Sequence, residues 1–272
     1  MFGRTSSRQW YTWLPLLFAS ATAQRLSLHK AAAEGQIEPL KVAIRGRFDP
    51  YEDEWKKPDV NGQNKKGQVA LHLAVCNRRG DMAAVRVLLE DGRADPNAQD
   101  KATDTPLHVV ARMCNDEERF GQHALSVAGL LIKHGAEPAT PATEAKITPL
   151  HVAAEAGHVR LVDLLLRHGG STLADTPDAT GRTPLHYATQ SLRAKVVFTL
   201  LQHGANPRAA DSAGKVPFDE VAGGKDSFAV TIRQHLERSR QIYTEAVAER
   251  ERKVKAKADA KEKKQGKAKT EL

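Results

Sequence analysis

Five segments of this chain carry the same short phrase at nearly regular intervals. The full form, Thr-Pro-Leu-His, ends at His108, His151 and His186, and shorter forms end at His29 and His72. Successive histidines are 43, 36, 43 and 35 residues apart. A unit of roughly 33 residues therefore recurs with insertions, and we expect a stack of similar units, not a globule built around one pocket.

The clearest unit predicts two helices joined by a tight turn. Thr148-Pro149 precedes the first helix, and proline is favoured in a first turn, where its missing N–H is no loss. Gly157 ends that helix because glycine tolerates the positive φ of a helix end. The second helix closes at Gly169-Gly170. One such pair cannot bury its apolar side alone, so neighbouring pairs must pack together.

At these residues the chain resembles the ankyrin repeat family. Residues 148–170 match the family pattern almost throughout, and residues 183–205 match nearly as well, with Ser191-Leu192 in place of Gly-His. The resemblance covers residues 28–235. It implies an all-α solenoid of about five to six helix-turn-helix repeats with projecting hairpin loops, followed by a C-terminal basic helix.

Charge divides the chain into three regions. The net charge is +8, yet residues 1–27 carry +3 and residues 250–272 carry +6, which leaves −1 for the intervening repeats. We expect a basic and apolar N-terminal segment at 1–27, a repeat domain at 28–235 and a charged helix or tail at 236–272. Attraction to nucleic acid or anionic lipid would have to come from the two ends.

The N-terminal segment leaves three interpretations open. Its apolar run from Trp13 to Ala19 resembles the core of a secretory signal, while its arginines and absent acids resemble an organellar transit peptide. It could also be an uncleaved, disordered or capping lead-in. Localisation is therefore uncertain between mitochondrial and cytoplasmic, with the secretory route the least favoured. The chain holds no apolar run of the roughly 20 residues that a transmembrane helix needs.

The repeated histidines favour a structural role. The family resemblance implies that His72, His108, His151 and His186 hydrogen-bond the turn and tie neighbouring repeats. A metal site would need its ligands within one shell, whereas a stack places equivalent histidines on successive layers. Because no catalytic, nucleotide-binding or zinc-protease motif is present, we predict no enzyme activity, cofactor or metal.

Partner binding is expected where the units differ from one another. The position after each Leu-His holds Leu73, Val109, Val152 or Tyr187, which would either form an exposed apolar seam or pack between repeats. The insertion at 48–66 contributes the candidate anchors Tyr51 and Trp55, because aromatic side chains bury large areas with few rotatable bonds. A second insertion, at 114–123, lengthens the turn of the third unit.

The tail offers charge without aromatic side chains. The candidate contacts for RNA or an anionic surface are Lys253, Lys255, Lys257, Lys263 and Lys264. Such contacts would be sensitive to salt and blind to sequence. We therefore expect a non-catalytic scaffold or adaptor for protein partners of unknown identity. The alternative is a structural or assembly subunit of an organellar or ribonucleoprotein complex, whose tail contacts RNA.

Overall fold

The structure is a computed structural model. It describes residues 28–45, 47–49, 54–56, 59–77, 82–113, 121–224 and 226–270. For residues 47–49 and 54–56, and for most of 246–270, the description concerns the backbone alone.

Helices make up most of the described residues, and all but the 3-10 helix and the last long helix are arranged in successive pairs. The pairs are α1 (Leu28–Glu34) with α2 (Ile37–Arg45), α3 (Ala70–Val75) with α4 (Met82–Glu90), α5 (Pro106–Met113) with α6 (Gly121–Lys133), α7 (Pro149–Ala156) with α8 (Val159–Gly169), and α9 (Pro184–Gln190) with α10 (Ala194–Gln202). A 3-10 helix at Ser171–Asp175 follows α8, and a long helix, α11 (Ser227–Thr270), follows the last pair. The predicted all-α repeat fold is confirmed.

The repeated phrase determines where each first helix begins. Thr148 lies in extended conformation at φ −91°, Pro149 occupies the first turn of α7, and Gly157 closes the helix at φ 94°. Thr183 and Pro184 begin α9 in the same way, although Ser191 takes the place of the closing glycine. The local signals read from the sequence are therefore those that bound the helices.

Packing joins like helices of successive pairs. The first helices α1, α3, α5, α7 and α9 contact one another in sequence order, and so do the second helices α2, α4, α6, α8 and α10. Leucines at one repeat position, among them Leu71, Leu150 and Leu185, are fully buried between them. Ala74, Ala153 and Ala188 are also fully buried, and their small side chains let the first helices approach closely.

Hairpin loops between the pairs are joined by backbone hydrogen bonds. The N–H of Lys101 donates to the carbonyl of Lys66 at 3.3 Å, and the N–H of Ser212 donates to that of Thr180 at 2.8 Å. Between the third and fourth repeats, the hydroxyl of Thr103 accepts from the N–H of Thr143 instead. The loops thus stack in register with the helices.

The insertion at 48–66 contains strands that sequence reasoning did not predict. Strand β1 (Arg47–Asp49) pairs antiparallel with β2 (Glu54–Lys56), with Phe48 opposite Trp55. An insertion has no counterpart in the other repeats, so the repeat pattern carried no information about its local structure.

Helix α11 closes the stack and then continues beyond it. Ala229, Ile232 and Leu236 are buried at its start, where α11 packs on α10. The helix runs without interruption to Thr270 and crosses the predicted domain boundary at residue 236. Its first turns therefore cap the repeats, while its remainder forms the basic extension.

Candidate functional site

A row of histidine contacts fixes each repeat against the next. The Nε2 atom of each of the five repeated histidines lies 2.9 to 3.2 Å from a backbone carbonyl oxygen at the start of the following unit. The pairs are His29 with Gln68, His72 with Asp104, His108 with Ile147, His151 with Arg182, and His186 with Lys215. These contacts set the register of successive first helices.

The other ring nitrogen fixes the protonation state of the imidazole. At His151, Nδ1 accepts the backbone N–H of Thr148 at 3.2 Å and lies 2.9 Å from the Thr148 hydroxyl. Because Nδ1 is an acceptor there, the ring proton resides on Nε2, which donates to the carbonyl of Arg182. The same arrangement recurs at His108 and His186.

Burial favours the neutral imidazole at His108, His151 and His186. Burial, opposed by the bond to the Arg182 carbonyl, lowers the pKa of His151 to about 4. Burial likewise lowers the pKa of His108 and of His186 below the usual value. A neutral imidazole with both nitrogens occupied cannot bind a metal or move a proton. These residues are therefore structural parts of the framework that carries the candidate binding surface.

That surface is a row of side chains on the first helices, which we call the first-helix row. It holds Leu73, Val109, Val152 and Tyr187, and each is partly exposed. Val109 and Val152 also pack against the core. The structure places these four residues at equivalent positions of four successive repeats.

Tyr187 departs from the expected purely apolar character. Its hydroxyl donates to Asp178 Oδ2 at 2.8 Å, and its ring stands edge-on to His151 with centroids 5.2 Å apart. The guanidinium of Arg182 lies over the ring, 5.1 Å from its centroid. Burial and the bond to Asp178 raise the pKa of Tyr187 to about 12. The phenol thus remains a donor at neutral pH.

Glu220 extends the row into the last unit. Arg182 Nη2 lies 3.0 Å from both Glu220 Oε1 and Gln190 Oε1. Glu220 occupies the slot after Val216-Pro217-Phe218-Asp219, the segment that replaces Thr-Pro-Leu-His. Sequence reasoning missed this residue, although aligning that segment with the phrase would have identified it. The row therefore ends in a charged and aromatic group at its C-terminal side.

The third repeat has its own ion pair. Arg112, at the end of α5, contacts the buried carboxylate of Asp104. The backbone carbonyl of Asp104 also accepts a hydrogen bond from His72 Nε2. Asp104 therefore contacts the histidine framework through its backbone and the surface residue Arg112 through its side chain. Arg112 follows Val109 by about one turn of α5 and therefore brings charge close to the apolar part of the row.

The remaining candidates are distributed elsewhere. Tyr51 lies outside the described residues, and so do residues 114–120 of the insertion predicted at 114–123. Trp55 lies in β2, which is not part of any first helix. Only its backbone is described. The candidate lysines from Lys253 to Lys264 belong to α11. Sequence reasoning thus selected several separate locations and not one site.

Two kinds of feature are absent from the part of the chain that the structure describes. None of the described helices is both long and apolar enough to cross a membrane. Among the same residues, no group of three histidine, cysteine or acidic side chains is arranged to hold a metal ion.

Comparison with known families and proteins gives consistent results. A family model for ankyrin repeats in three copies matches residues 28–141 and 118–211. The human SMC5-SMC6 complex localization factor protein 1 is 30% identical over 162 residues, which are 57% of this chain and 14% of that protein. The mouse nuclear factor NF-kappa-B p105 subunit is 30% identical over 149 residues, 54% of this chain and 13% of that protein. The similarity thus spans a small part of these two relatives.

Smaller proteins are similar over more of their own length. Rat cyclin-dependent kinase 4 inhibitor B is 38% identical over 112 residues, 40% of this chain and 75% of that protein. The crystal structure of an ankyrin repeat domain from Acinetobacter baumannii aligns with a TM-score of 0.62 and 27% identity. That alignment covers 78% of this chain and 96% of the bacterial domain.

Proposed function

The chain belongs to the ankyrin repeat family, and from that premise we propose that it is a non-catalytic scaffold or adaptor that binds a protein partner through the first-helix row. Ankyrin repeats generally mediate interactions between proteins, and their surfaces vary while the framework stays constant. The proposal therefore concerns which surface of this chain binds, and by which contacts.

The observation that supports it is the alignment of Leu73, Val109, Val152 and Tyr187 on four successive first helices. Partly exposed apolar side chains at equivalent positions of successive repeats lose further water contact when a partner covers them. Tyrosine and arginine are enriched among residues that contribute most to binding energy, and Tyr187 and Arg182 are stacked at one end. The row thus offers apolar contact with a polar anchor.

Rigidity favours binding by this surface. Each repeat is held to the next through a histidine and through loop contacts, so the row needs little ordering when a partner binds. Preorganisation of this kind lowers the entropic cost of association. We propose Tyr51 and Trp55, in the insertion at 48–66, as a second partner contact.

Site-specific photocrosslinking tests the proposal. A photoreactive phenylalanine analogue placed at Val152 or at Tyr187, in the full chain expressed in its native cells, should give crosslinked adducts with a distinct partner. The same analogue at Val230, an exposed apolar position on α11, is the control. Adducts from Val230 of the same size and yield as from Val152 would contradict binding through the row.

A variant measures how far the row contributes to affinity. Val152→Arg should weaken binding of the crosslinked partner by roughly tenfold or more, because it places an uncompensated charge in an apolar contact. Val230→Arg makes the same substitution away from the row and should leave binding unchanged. The midpoint temperature of thermal unfolding must stay close to the parent's in both variants, because Val152 also packs against the core.

A second candidate role is that of a structural or assembly subunit in an organellar or ribonucleoprotein complex. The observation that favours it is the continuation of α11 to Thr270, which carries the basic residues away from the repeats. Deleting residues 250–272 should remove any RNA from the purified complex and leave partner binding by the row intact. If the truncated chain retained RNA, that result would contradict this role.

A further inference from the structure

The extension of α11 separates its charges by side. At 3.6 residues per turn, six basic positions lie within about one third of the helix circumference. We call these positions the basic stripe; they are Arg250, Lys253, Lys257, Lys261, Lys264 and Lys267. Successive members are three or four residues apart, which is a spacing of about 5 to 6 Å along a total length of about 25 Å.

Acidic residues of the same segment lie on the other side. Between residues 250 and 270 the acids are Glu251, Asp259 and Glu262, and all three fall on the side opposite the stripe. Lys255 and Lys263 also lie outside the stripe by the same geometry. The lysines that sequence reasoning treated as one group are therefore divided once the segment is a helix.

The stripe lacks the apolar residues that other partners need. Between residues 251 and 270, Val254 is the only aliphatic residue larger than alanine, and no aromatic residue is present. A helix lying in a membrane surface needs an apolar side, and a protein interface needs buried apolar or aromatic anchors. Binding that depends on charge alone fits a polymer with regular negative charge, which is the property of a nucleic acid backbone.

We infer that the basic stripe of α11 binds the sugar–phosphate backbone of nucleic acid without reading its sequence. The repeats carry a net charge of −1 between the two basic ends, so they add no attraction of their own. Each stripe residue that neutralises a phosphate releases condensed counterions and makes affinity fall with salt. This inference deepens the second candidate role and is independent of binding by the first-helix row.

Two matched double variants of the full chain test the stripe. Lys257→Gln with Lys264→Gln removes two charges from the stripe, whereas Lys255→Gln with Lys263→Gln removes two charges outside it. The probes are fluorescent duplexes of RNA and of DNA, each of about 20 base pairs, titrated at salt concentrations from about 50 to about 200 mM. Circular dichroism checks that the helix content of each variant equals that of the parent.

The parent should lose affinity by about a thousandfold over that salt range if all six positions contact phosphates. The stripe variant should bind roughly tenfold more weakly at low salt, with a salt slope reduced by about two. The control variant should stay within about twofold of the parent. Preference for the RNA duplex over the DNA duplex would identify RNA as the natural source of the phosphates, and equal binding would mean that the stripe accepts both.

Three results would overturn the inference. Equal loss in the two double variants would mean that total tail charge, and not the stripe, binds; the second candidate role would survive that result. Failure of both duplexes to bind would exclude a nucleic acid site, and so would equally strong binding of polyglutamate or of phosphatidylserine vesicles. A charge-conserving variant, Lys257→Glu with Glu262→Lys, gives an independent check, because it places an acid in the stripe and should weaken binding as strongly as the stripe variant.

Discussion

The Nε2 atom of His151 donates a hydrogen bond to the carbonyl oxygen of Arg182, at 3.1 Å, and so joins the fourth repeat to the fifth. The same imidazole accepts the N–H of Thr148 through Nδ1. One buried side chain therefore satisfies the start of its own helix and the loop of the next repeat. Several predictions about stability depend on this double role.

Replacing His151 should destabilise the fold strongly. His151→Ala leaves the Thr148 N–H and the Arg182 carbonyl without partners in a buried region and removes a packed ring, which together cost about 3 kcal/mol. Urea unfolding followed by circular dichroism measures the free energy of unfolding. His168→Ala, at an exposed histidine of α8, is the control and should change that energy by less than about 0.5 kcal/mol. Equal effects would contradict the structural role.

Stability should fall as pH decreases from 6.5 to about 4. Burial lowers the pKa of His151 to about 4, below its unfolded value of 6.5, so the unfolded chain binds a proton in this range while the folded chain does not. Stability is therefore full above pH 6.5 and is lost by about 3 kcal/mol on approaching pH 4 from this residue alone. His108 and His186 act in the same direction because burial also lowers their pKa.

The pH range in which stability is lost distinguishes the imidazoles from the carboxylate of Asp178. Hydrogen bonds to Asp178 outweigh its burial and hold the pKa of its carboxyl below 3.8, so its contribution is present above that pH and is lost only below it. The urea midpoint measured at intervals between pH 7 and 4 should therefore decline before Asp178 titrates. His151→Gln should show a shallower decline over this range, whereas an unchanged profile would argue against the assignment.

Two equivalent loop positions should respond in opposite ways to substitution. Gly67 has φ +77°, and an added Cβ would lie 2.5 Å from the backbone nitrogen of Lys101. Gly67→Ala should therefore cost about 2 kcal/mol or more through backbone strain and steric conflict. Lys146 occupies the same position of its own loop with φ 55°, so Lys146→Gly should be neutral or stabilise by up to about 1 kcal/mol. Thermal unfolding of both variants checks the contrast.

The bond between Tyr187 and Asp178 should contribute modestly to stability. Asp178 Oδ1 still accepts from the backbone N–H groups of Thr180 and Arg182, so Tyr187→Phe should cost only about 1 kcal/mol. A double-mutant cycle with Asp178→Asn measures the coupling between the two side chains. A coupling energy near zero would show that the hydroxyl does not depend on this carboxylate.

Sequence reasoning identified the fold because the repeated phrase carries its local signals in the chain itself. Threonine, proline and glycine bound the helices, and the leucines and alanines of each unit indicate the packed side. The β1–β2 hairpin was missed because an insertion has no second copy for comparison. Thr103 and Lys146 also have positive φ, at positions where other loops place glycine. Threonine and lysine do not themselves indicate that conformation, so residue type alone could not predict it.

The candidate surface could be predicted only in part. The positions of Leu73, Val109, Val152 and Tyr187 in a common row follow from the repeat period. The contacts of Tyr187 with Asp178 and Arg182 depend on how the loop before α9 folds back onto that helix, which no spacing reveals. The division of the tail lysines likewise requires the helix to continue to Thr270, a point that composition left open between helix and disorder.

The histidine contacts also determine how such a chain can change length. Every internal unit donates one N–H to the unit after it and receives one from the unit before it, as His108 and His151 do through Ile147 and Arg182. Removing or duplicating one whole unit therefore restores the same pairing at the new junction, whereas a break within a unit leaves a buried donor or acceptor unpaired. Gain and loss of complete repeats is thus the route by which this framework can lengthen or shorten without losing its order.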